Sequence, residues 1–154
     1  LVDGGMSLDT SPKTSPRASA MRLFARVPWT VLDPLTRDVG QTGVTILRKP
    51  ETGLVMVRGR MGSTGAAFNL GEATVTRCSI KLQSGTEGHG YVMGRNADHA
   101  LRMAVCDAVY QDEPDRLLPV LDALEDVLTR SRIETASKAA ATKVDFFTMV
   151  RGDD

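Results

Sequence analysis

Apolar and polar positions alternate along two stretches in the middle of the chain. In residues 54–61 the even-numbered side chains share one face and the odd-numbered ones the other, and this period of two predicts a β-strand. Residues 72–82 alternate in the same way and are rich in β-branched side chains. Gly62, Gly65 and Gly71 mark the connection, which predicts left-handed backbone angles or a close backbone approach. The two stretches are therefore expected to face each other as strands.

Shorter segments on both sides extend this predicted sheet. Residues 44–49 predict a first strand, and residues 50–53, which begin with proline and end with glycine, predict a turn into the second. Residues 89–93 predict a short strand that returns antiparallel to residues 72–82. The sequence thus predicts a mostly antiparallel sheet of about four strands.

Helical patterns precede the predicted sheet. Ser19 is expected to cap a short helix that ends at Pro28. Thr30 is expected to start a second helix that holds Pro34 in its first turn. Residues 1–18 are rich in Ser, Thr, Pro and Gly and are expected to be a disordered N-terminal tail, with residues 19–154 as a single domain.

Helical patterns also follow the predicted sheet. Asn96 is expected to cap a helix that runs to about Gln111 and is apolar around most of its circumference, as a buried helix is. After a break at residues 112–114, leucines repeat at helical spacing and an alanine-rich helix continues from about Arg130. The predicted fold class is α+β, with the helices packed on one face of the sheet.

The C-terminal stretch is strongly apolar, although chain ends are usually polar. Its large apolar side chains need a cover, either the protein's own core or another chain. They form the predicted partner interface: Phe146, Phe147, Met149 and Val150.

Charge and composition narrow the classes of function. The chain has 19 basic and 19 acidic residues, and this balance argues against a nucleic-acid partner. Its two cysteines, Cys78 and Cys106, lie on different predicted elements, which favours a reducing compartment. No apolar run approaches the length of a membrane span, and we expect a cytoplasmic protein.

The predicted hairpin carries the most suggestive chemistry. Arg58 and Arg60 share one strand face and lead into Gly62, Ser63, Thr64 and Gly65. Arginine forks and exposed backbone N–H groups can hold a phosphate or phosphonate, or the arginines can contact a partner chain. The alternative is that both arginines are solvated and the glycines only form a turn. The loop lacks the Gly-Lys-Ser/Thr of a nucleotide-binding P-loop.

Three other features of the sequence bear on a functional site. Arg77 is expected to pair with Glu72 or Glu51, or to reach a subunit interface. His89 and His99 have no metal-like spacing with each other or with the cysteines, so we expect no metal site. No nucleophile–base constellation is recognisable, so catalytic residues are not assigned and the chain is not expected to be a complete enzyme.

Several segments together resemble one protein family. They are ETGLV at residues 51–55, RMGSTG at 60–65, Phe68, GEATVTR at 71–77, GR at 94–95, DHA at 98–100 and VDFFTMVRGD at 144–153. This pattern is similar to the PhnG family, a subunit of the bacterial carbon–phosphorus lyase system for phosphonate use. The resemblance extends from Met21 to the end of the chain.

The resemblance implies a cytoplasmic core complex with two copies each of this chain, PhnH, PhnI and PhnJ. It implies that the chain acts with PhnI, PhnH and PhnL when a phosphonate displaces adenine from ATP, which yields an α-D-ribose 1-alkylphosphonate 5-triphosphate. It places the nucleosidase-type chemistry on PhnI, and the iron–sulfur cluster and S-adenosylmethionine on PhnJ. No cofactor is therefore expected in this chain. A purely structural subunit and a free-standing enzyme remain the alternatives.

Overall fold

The structure, a computed structural model, describes residues 14–40, 42–62 and 64–142. These residues form an α+β fold of four helices and a three-stranded antiparallel sheet in the order β1-β2-β3. The elements in chain order are α1 Pro16–Arg26, α2 Trp29–Thr36, β1 Thr45–Arg60, β2 Ala67–Lys81, β3 Glu87–Met93, α3 Ala97–Asp112 and α4 Pro114–Ala141. The α+β class predicted from the sequence is thus observed.

The first two predicted strands are one strand in the structure. Residues 50–53, predicted to be a turn, lie inside β1, and register shifts occur between Ile46 and Arg48 and between Arg48 and Glu51. Pro50 has no backbone N–H to donate to a neighbouring strand. Because β1 is an edge strand with a neighbour on one side only, it can hold a proline. A bulge accommodates the extra residue where a turn was expected. The turn prediction was wrong, and the count of about four strands is not confirmed.

The N-terminal helix begins earlier than predicted. Ser15, rather than Ser19, is its N-cap and accepts a hydrogen bond from the backbone N–H of Ala18 at 3.2 Å. Pro16 stands at the first helical position, where its missing N–H costs nothing. The expected tail through residue 18 therefore overlaps this helix, and residues 1–13 lie outside the described residues.

Two prolines lie inside helices, and Pro34 lies deeper in its helix than predicted. Pro34 lies in the interior of α2 rather than in its first turn. The residue before α2 is Pro28, which provides no side-chain cap. Pro119 likewise lies inside α4, which begins at Pro114 and continues as one helix through the alanine-rich segment. Each proline removes one backbone donor.

Helix α3 is the centre of the core. Asn96 caps it as predicted, accepting from the backbone N–H of His99 at 3.0 Å. Gly88 and Gly90 let the sheet approach the helix closely, because an added Cβ would lie 2.0 Å from the carbonyl oxygen of Ala104 or 1.9 Å from that of Ala100, respectively. Side chains from every helix and two strands complete the core, among them Phe24, Leu32, Ile80, Val92, Ala104, Leu117 and Leu124.

One buried carboxylate joins three elements. Asp107 on α3 is fully buried and accepts hydrogen bonds from Nε and Nη2 of Arg17, each at 2.8 Å. It also accepts from the backbone N–H of His89 at 2.9 Å. The charge-assisted fork raises the pKa of Arg17, chiefly through the hydrogen bonds to Asp107. Asp107 therefore fixes α1 and β3 against α3.

Candidate interaction site on the β-hairpin arm

Strands β1 and β2 extend beyond the rest of the sheet as a two-stranded arm, defined here as residues 53–75. Their pairing continues from Gly53 opposite Val75 to Arg60 opposite Ala67. Strand β3 stops where Met93 pairs with Val75, so the described residues beyond that pair form a two-stranded ribbon. Of the arm's strand residues, only Val75 is buried. The described residues consequently leave both faces of the arm exposed.

The two faces of the arm differ in chemistry. Directly opposed residues share a face, so the side that continues the helix-covered face of the sheet carries Leu54, Met56, Arg58 and Arg60. We call this the inner face. The outer face carries Val57, Phe68 and Leu70, and Leu70 packs over Gly59, where an added Cβ would lie 2.6 Å from its Cδ1 atom.

Arg58 and Arg60 lie side by side on the inner face, as the alternation predicts. Both are exposed, and neither forms an ion pair with another residue that the structure describes. Two guanidinium groups without carboxylate partners retain the donors that an anion or a partner's acidic side chain requires.

Turn geometry accounts for the loop glycines. Gly62 has a φ of +68°, which favours glycine, and an added Cβ at Gly65 would lie 2.0 Å from the carbonyl oxygen of Met61. Thr64 is described and exposed, whereas Ser63 lies outside the described residues. The glycines are explained by the hairpin connection itself, so they do not by themselves require a bound anion.

Arg77 lies on the same outer sheet face but belongs to the three-stranded part. It stands opposite Glu51 in the register, and its Nη2 lies 3.6 Å from a carboxylate oxygen of that residue. Arg48 approaches the same carboxylate at 3.9 Å. Because these groups are half exposed, the pairs contribute little to stability.

Sequence reasoning missed the apolar outer face. The glycines predict that the segment before Gly71 is a connection between strands, whereas the structure places residues 67–70 in β2. The alternation of Phe68 and Leu70 around Asn69 was the available signal. The predicted C-terminal interface of Phe146, Phe147, Met149 and Val150 lies outside the described residues.

A concave region separate from the arm lies between α2, α3 and the start of β1. It encloses about 430 Å³ and is lined by Trp29, Val44, Leu101 and Arg102 among others. Arg102 is already engaged there: it donates to Asp33 Oδ1 at 3.1 Å, and its guanidinium lies 5.4 Å from the centre of the Trp29 ring. These contacts fix α2 against α3. They explain the position of Arg102, and no bound ligand is needed to explain it.

Three further observations concern the reactive side chains and the helices that the structure describes. Ser79 Oγ and His89 Nδ1 lie 3.0 Å apart, but on the open outer face of the sheet rather than in a pocket. Burial raises the pKa of Cys106 to about 12, which keeps this thiol protonated. Within the described ranges, no group of three or more His, Cys, Asp or Glu side chains is placed to hold a metal ion. None of the helices in those ranges is long and apolar enough to span a membrane.

An exposed apolar arm on a small α+β body is typical of a protein that contacts other polypeptides. The family model for the phosphonate metabolism protein PhnG matches residues 15–152, and the chain belongs to this family. It is 43% identical over 149 residues to a protein of Rhizobium meliloti (strain 1021), and the match covers 90% of each chain. That relative is the alpha-D-ribose 1-methylphosphonate 5-triphosphate synthase subunit PhnG.

Proposed function

We propose that this chain is the PhnG subunit of a multi-subunit transferase that makes α-D-ribose 1-methylphosphonate 5-triphosphate. In this reaction methylphosphonate displaces adenine from ATP, within the carbon–phosphorus lyase pathway of phosphonate degradation. The observation that carries the proposal is the 43% identity, over 90% of both chains, to the Rhizobium meliloti synthase subunit. The family match to residues 15–152 supports it.

The partners in this proposal follow from the family. The chain acts with PhnI, PhnH and PhnL in the displacement of adenine and assembles in the cytoplasm with PhnI, PhnH and PhnJ, as two copies per complex. It holds no cofactor of its own. ATP and the alkylphosphonate are substrates of the whole complex.

Within that complex, the arm is the part of the described chain best suited to a direct role. Arg58 and Arg60 project from the same face and form no ion pair with the residues that the structure describes, which supports contact with an anionic group of substrate or partner. Gly62, Ser63, Thr64 and Gly65 would bring backbone donors to the same end of the arm. Arg77, already near Glu51, would contribute at the margin of the interface. Phe146, Phe147, Met149 and Val150 would bury their apolar side chains against a partner.

Reconstitution tests the proposal directly. PhnI, PhnH and PhnL are mixed with ATP and methylphosphonate, with and without this chain, and released adenine is measured by chromatography. We expect adenine release to fall at least about tenfold when the chain is omitted, because it completes the assembled enzyme. Equal release in both mixtures would refute the proposal.

A second candidate is a purely structural subunit that assembles the complex without influencing the chemistry. The exposed apolar side chains of the arm favour it, because they suit protein contact rather than catalysis. An Arg60→Ala variant separates the two functions, with Arg22→Ala, an exposed position on α1, as the matched control. If the variant complex assembles but releases adenine more slowly than the control, the structural function alone is insufficient.

A further inference from the structure

The outer face of the arm continues into an apolar stripe that crosses the edge of the sheet. We define the outer stripe as Val57, Phe68, Leu70, Tyr91 and Met93. Leu70 is 63% exposed and Phe68 41%, although both are large apolar side chains. Met93 on β3, 67% exposed, pairs with Val75 at the base of the arm, so the stripe passes from β3 onto the arm. An apolar surface of this extent typically marks an interface.

The described part of the chain leaves the outer stripe uncovered. In the three-stranded part, Cys78, Ile80 and Val92 face the helices and are buried. The outer face beside them carries Arg77 and Ser79, as expected for an antiparallel sheet with one solvated side. Along the outer face, polar residues give way to apolar ones, and this change bounds the surface that the described residues leave uncovered.

The inner face of the arm indicates what kind of molecule that is. Leu54 and Met56 are 64% and 58% exposed there, beside Thr74 and Glu72, so the base of the arm exposes large apolar side chains on both sides. A second copy that packs through the outer stripe about a two-fold axis would contact that same stripe and leave the inner face open. A ribbon with exposed apolar side chains on both faces fits a cleft in a different polypeptide, which encloses both. This agrees with the relative's description as a subunit of a larger enzyme.

Charge is separated from the apolar surface at the far end of the arm. Between residues 57 and 71 the only charged side chains are Arg58 and Arg60, and both lie on the face opposite the outer stripe. Burial of the stripe against a partner would therefore leave both guanidinium groups directed away from that contact. Docking and anion contact can be carried by opposite faces of one ribbon.

We propose that the outer stripe docks the arm into an apolar cleft of a different polypeptide, a partner subunit of the synthase. Docking in this way does not require Arg58 and Arg60. The inference rests on the proposed function, because the partner is a subunit of that complex. It adds the surface that makes the contact and separates that surface from the arginines.

The test compares variants of the two faces in the intact complex. The chain is co-expressed with tagged PhnI, PhnH and PhnJ, and the amount that co-purifies is measured. We expect Phe68→Ser combined with Leu70→Ser to reduce co-purification at least about tenfold, because apolar anchors dominate interface affinity. Arg58→Ala combined with Arg60→Ala should retain it within about threefold.

Two controls make the comparison sharp. Leu118→Ser removes a large apolar side chain that is 47% exposed on α4, and it should co-purify as the unaltered chain does. Thermal unfolding of each free variant shows whether the fold is intact, since all the altered side chains are exposed.

Each outcome bears on the proposal. If the unaltered chain co-purifies and the stripe variant does so equally, the outer stripe is not the docking surface, although the proposed function stands. If the arginine variant is lost as completely as the stripe variant, the separation of the two faces is wrong. If the free chain forms a dimer that the stripe variant abolishes, the occupant is a second copy. If the unaltered chain binds no partner, both the inference and the proposed function fail.

Discussion

At the scale of single residues, Asp107 shows how a polar group can organise an apolar core. It sits in a helix whose other buried residues are mostly apolar, and its carboxylate is satisfied by Arg17 and by the backbone of His89. A buried carboxylate is tolerated only when its hydrogen bonds are made. Its value lies in orienting α1 and β3, which are distant in sequence, around one point.

Replacement of Asp107 by asparagine should destabilise the protein by about 2–4 kcal/mol, because the charged fork to Arg17 is lost inside the core. Urea unfolding followed by circular dichroism measures this free energy. Asp122→Asn, at an exposed position of α4, is the matched control and should change this free energy by less than about 0.5 kcal/mol. A loss below about 1 kcal/mol for Asp107→Asn would show that the fork contributes little.

Because Cys106 is buried, the free energy of unfolding is expected to fall at alkaline pH. Burial raises the pKa of its thiol from 9.0 to about 12, so above pH 9 the unfolded chain releases this proton while the folded chain retains it. The contribution of the thiol is fully present below pH 9 and is lost as the pH rises towards 12. Between these limits the unaltered protein should lose about 1.4 kcal/mol per pH unit more than Cys106→Ala. Equal slopes in urea unfolding at pH 9.5 and 10.5, which are about the middle of this window, would contradict this account.

At the scale of secondary-structure elements, the contact between β3 and α3 depends on glycine. Gly88 and Gly90 alternate with exposed residues, and each presents its missing side chain to the helix backbone. In sequence these glycines weaken a strand prediction, because glycine lowers strand propensity. In the structure they permit the closest approach between the sheet and the helix.

Gly90→Ala should separate α3 from the sheet and cost about 2–3 kcal/mol, because the new methyl group would meet the carbonyl oxygen of Ala100. Gly53→Ala is the matched control: it is a strand glycine with no atom within 4 Å of the added Cβ, and its effect should stay within about 0.5 kcal/mol. Thermal and urea unfolding of both variants measure the difference. Equal effects would mean that the helix shifts without cost.

At the scale of the whole molecule, the described chain consists of a packed body and two projections. The arm is one projection, and the other is the part of α4 after Leu128, where every described residue is exposed. Apart from Val75 at the base of the arm, no described residue of either projection is buried, so the core stabilises them little. Such a shape is typical of a subunit that is completed by its neighbours.

The isolated chain is therefore expected to bind an apolar fluorescent dye such as anilinonaphthalene sulfonate while it is folded. Phe68→Ser combined with Leu70→Ser should reduce the dye fluorescence by about half, because it removes a large part of the outer stripe. Leu118→Ser should change it less. Dye fluorescence as weak as that of a fully covered globular protein would contradict an exposed stripe.

Much of the fold and part of the site could be predicted from local sequence patterns. The cap at Asn96, the apolar helix after it and the alternation that places Arg58 and Arg60 on one face all follow from neighbours along the chain. The failures concern continuity: residues 50–53 have turn composition but lie within an edge strand. Whether a proline ends a strand depends on which side of the strand is paired, and no local pattern contains that information.

The sequence by itself determined the α+β class, the helical and strand periodicities, and the motifs through which the chain resembles the PhnG family. Only the tertiary structure decided that the hairpin projects beyond β3, that the described residues leave its outer face uncovered, and that Asp107 joins three elements. The physical reason is that periodicity reports which side chains share a face. Whether that face is covered depends on where distant segments end and pack.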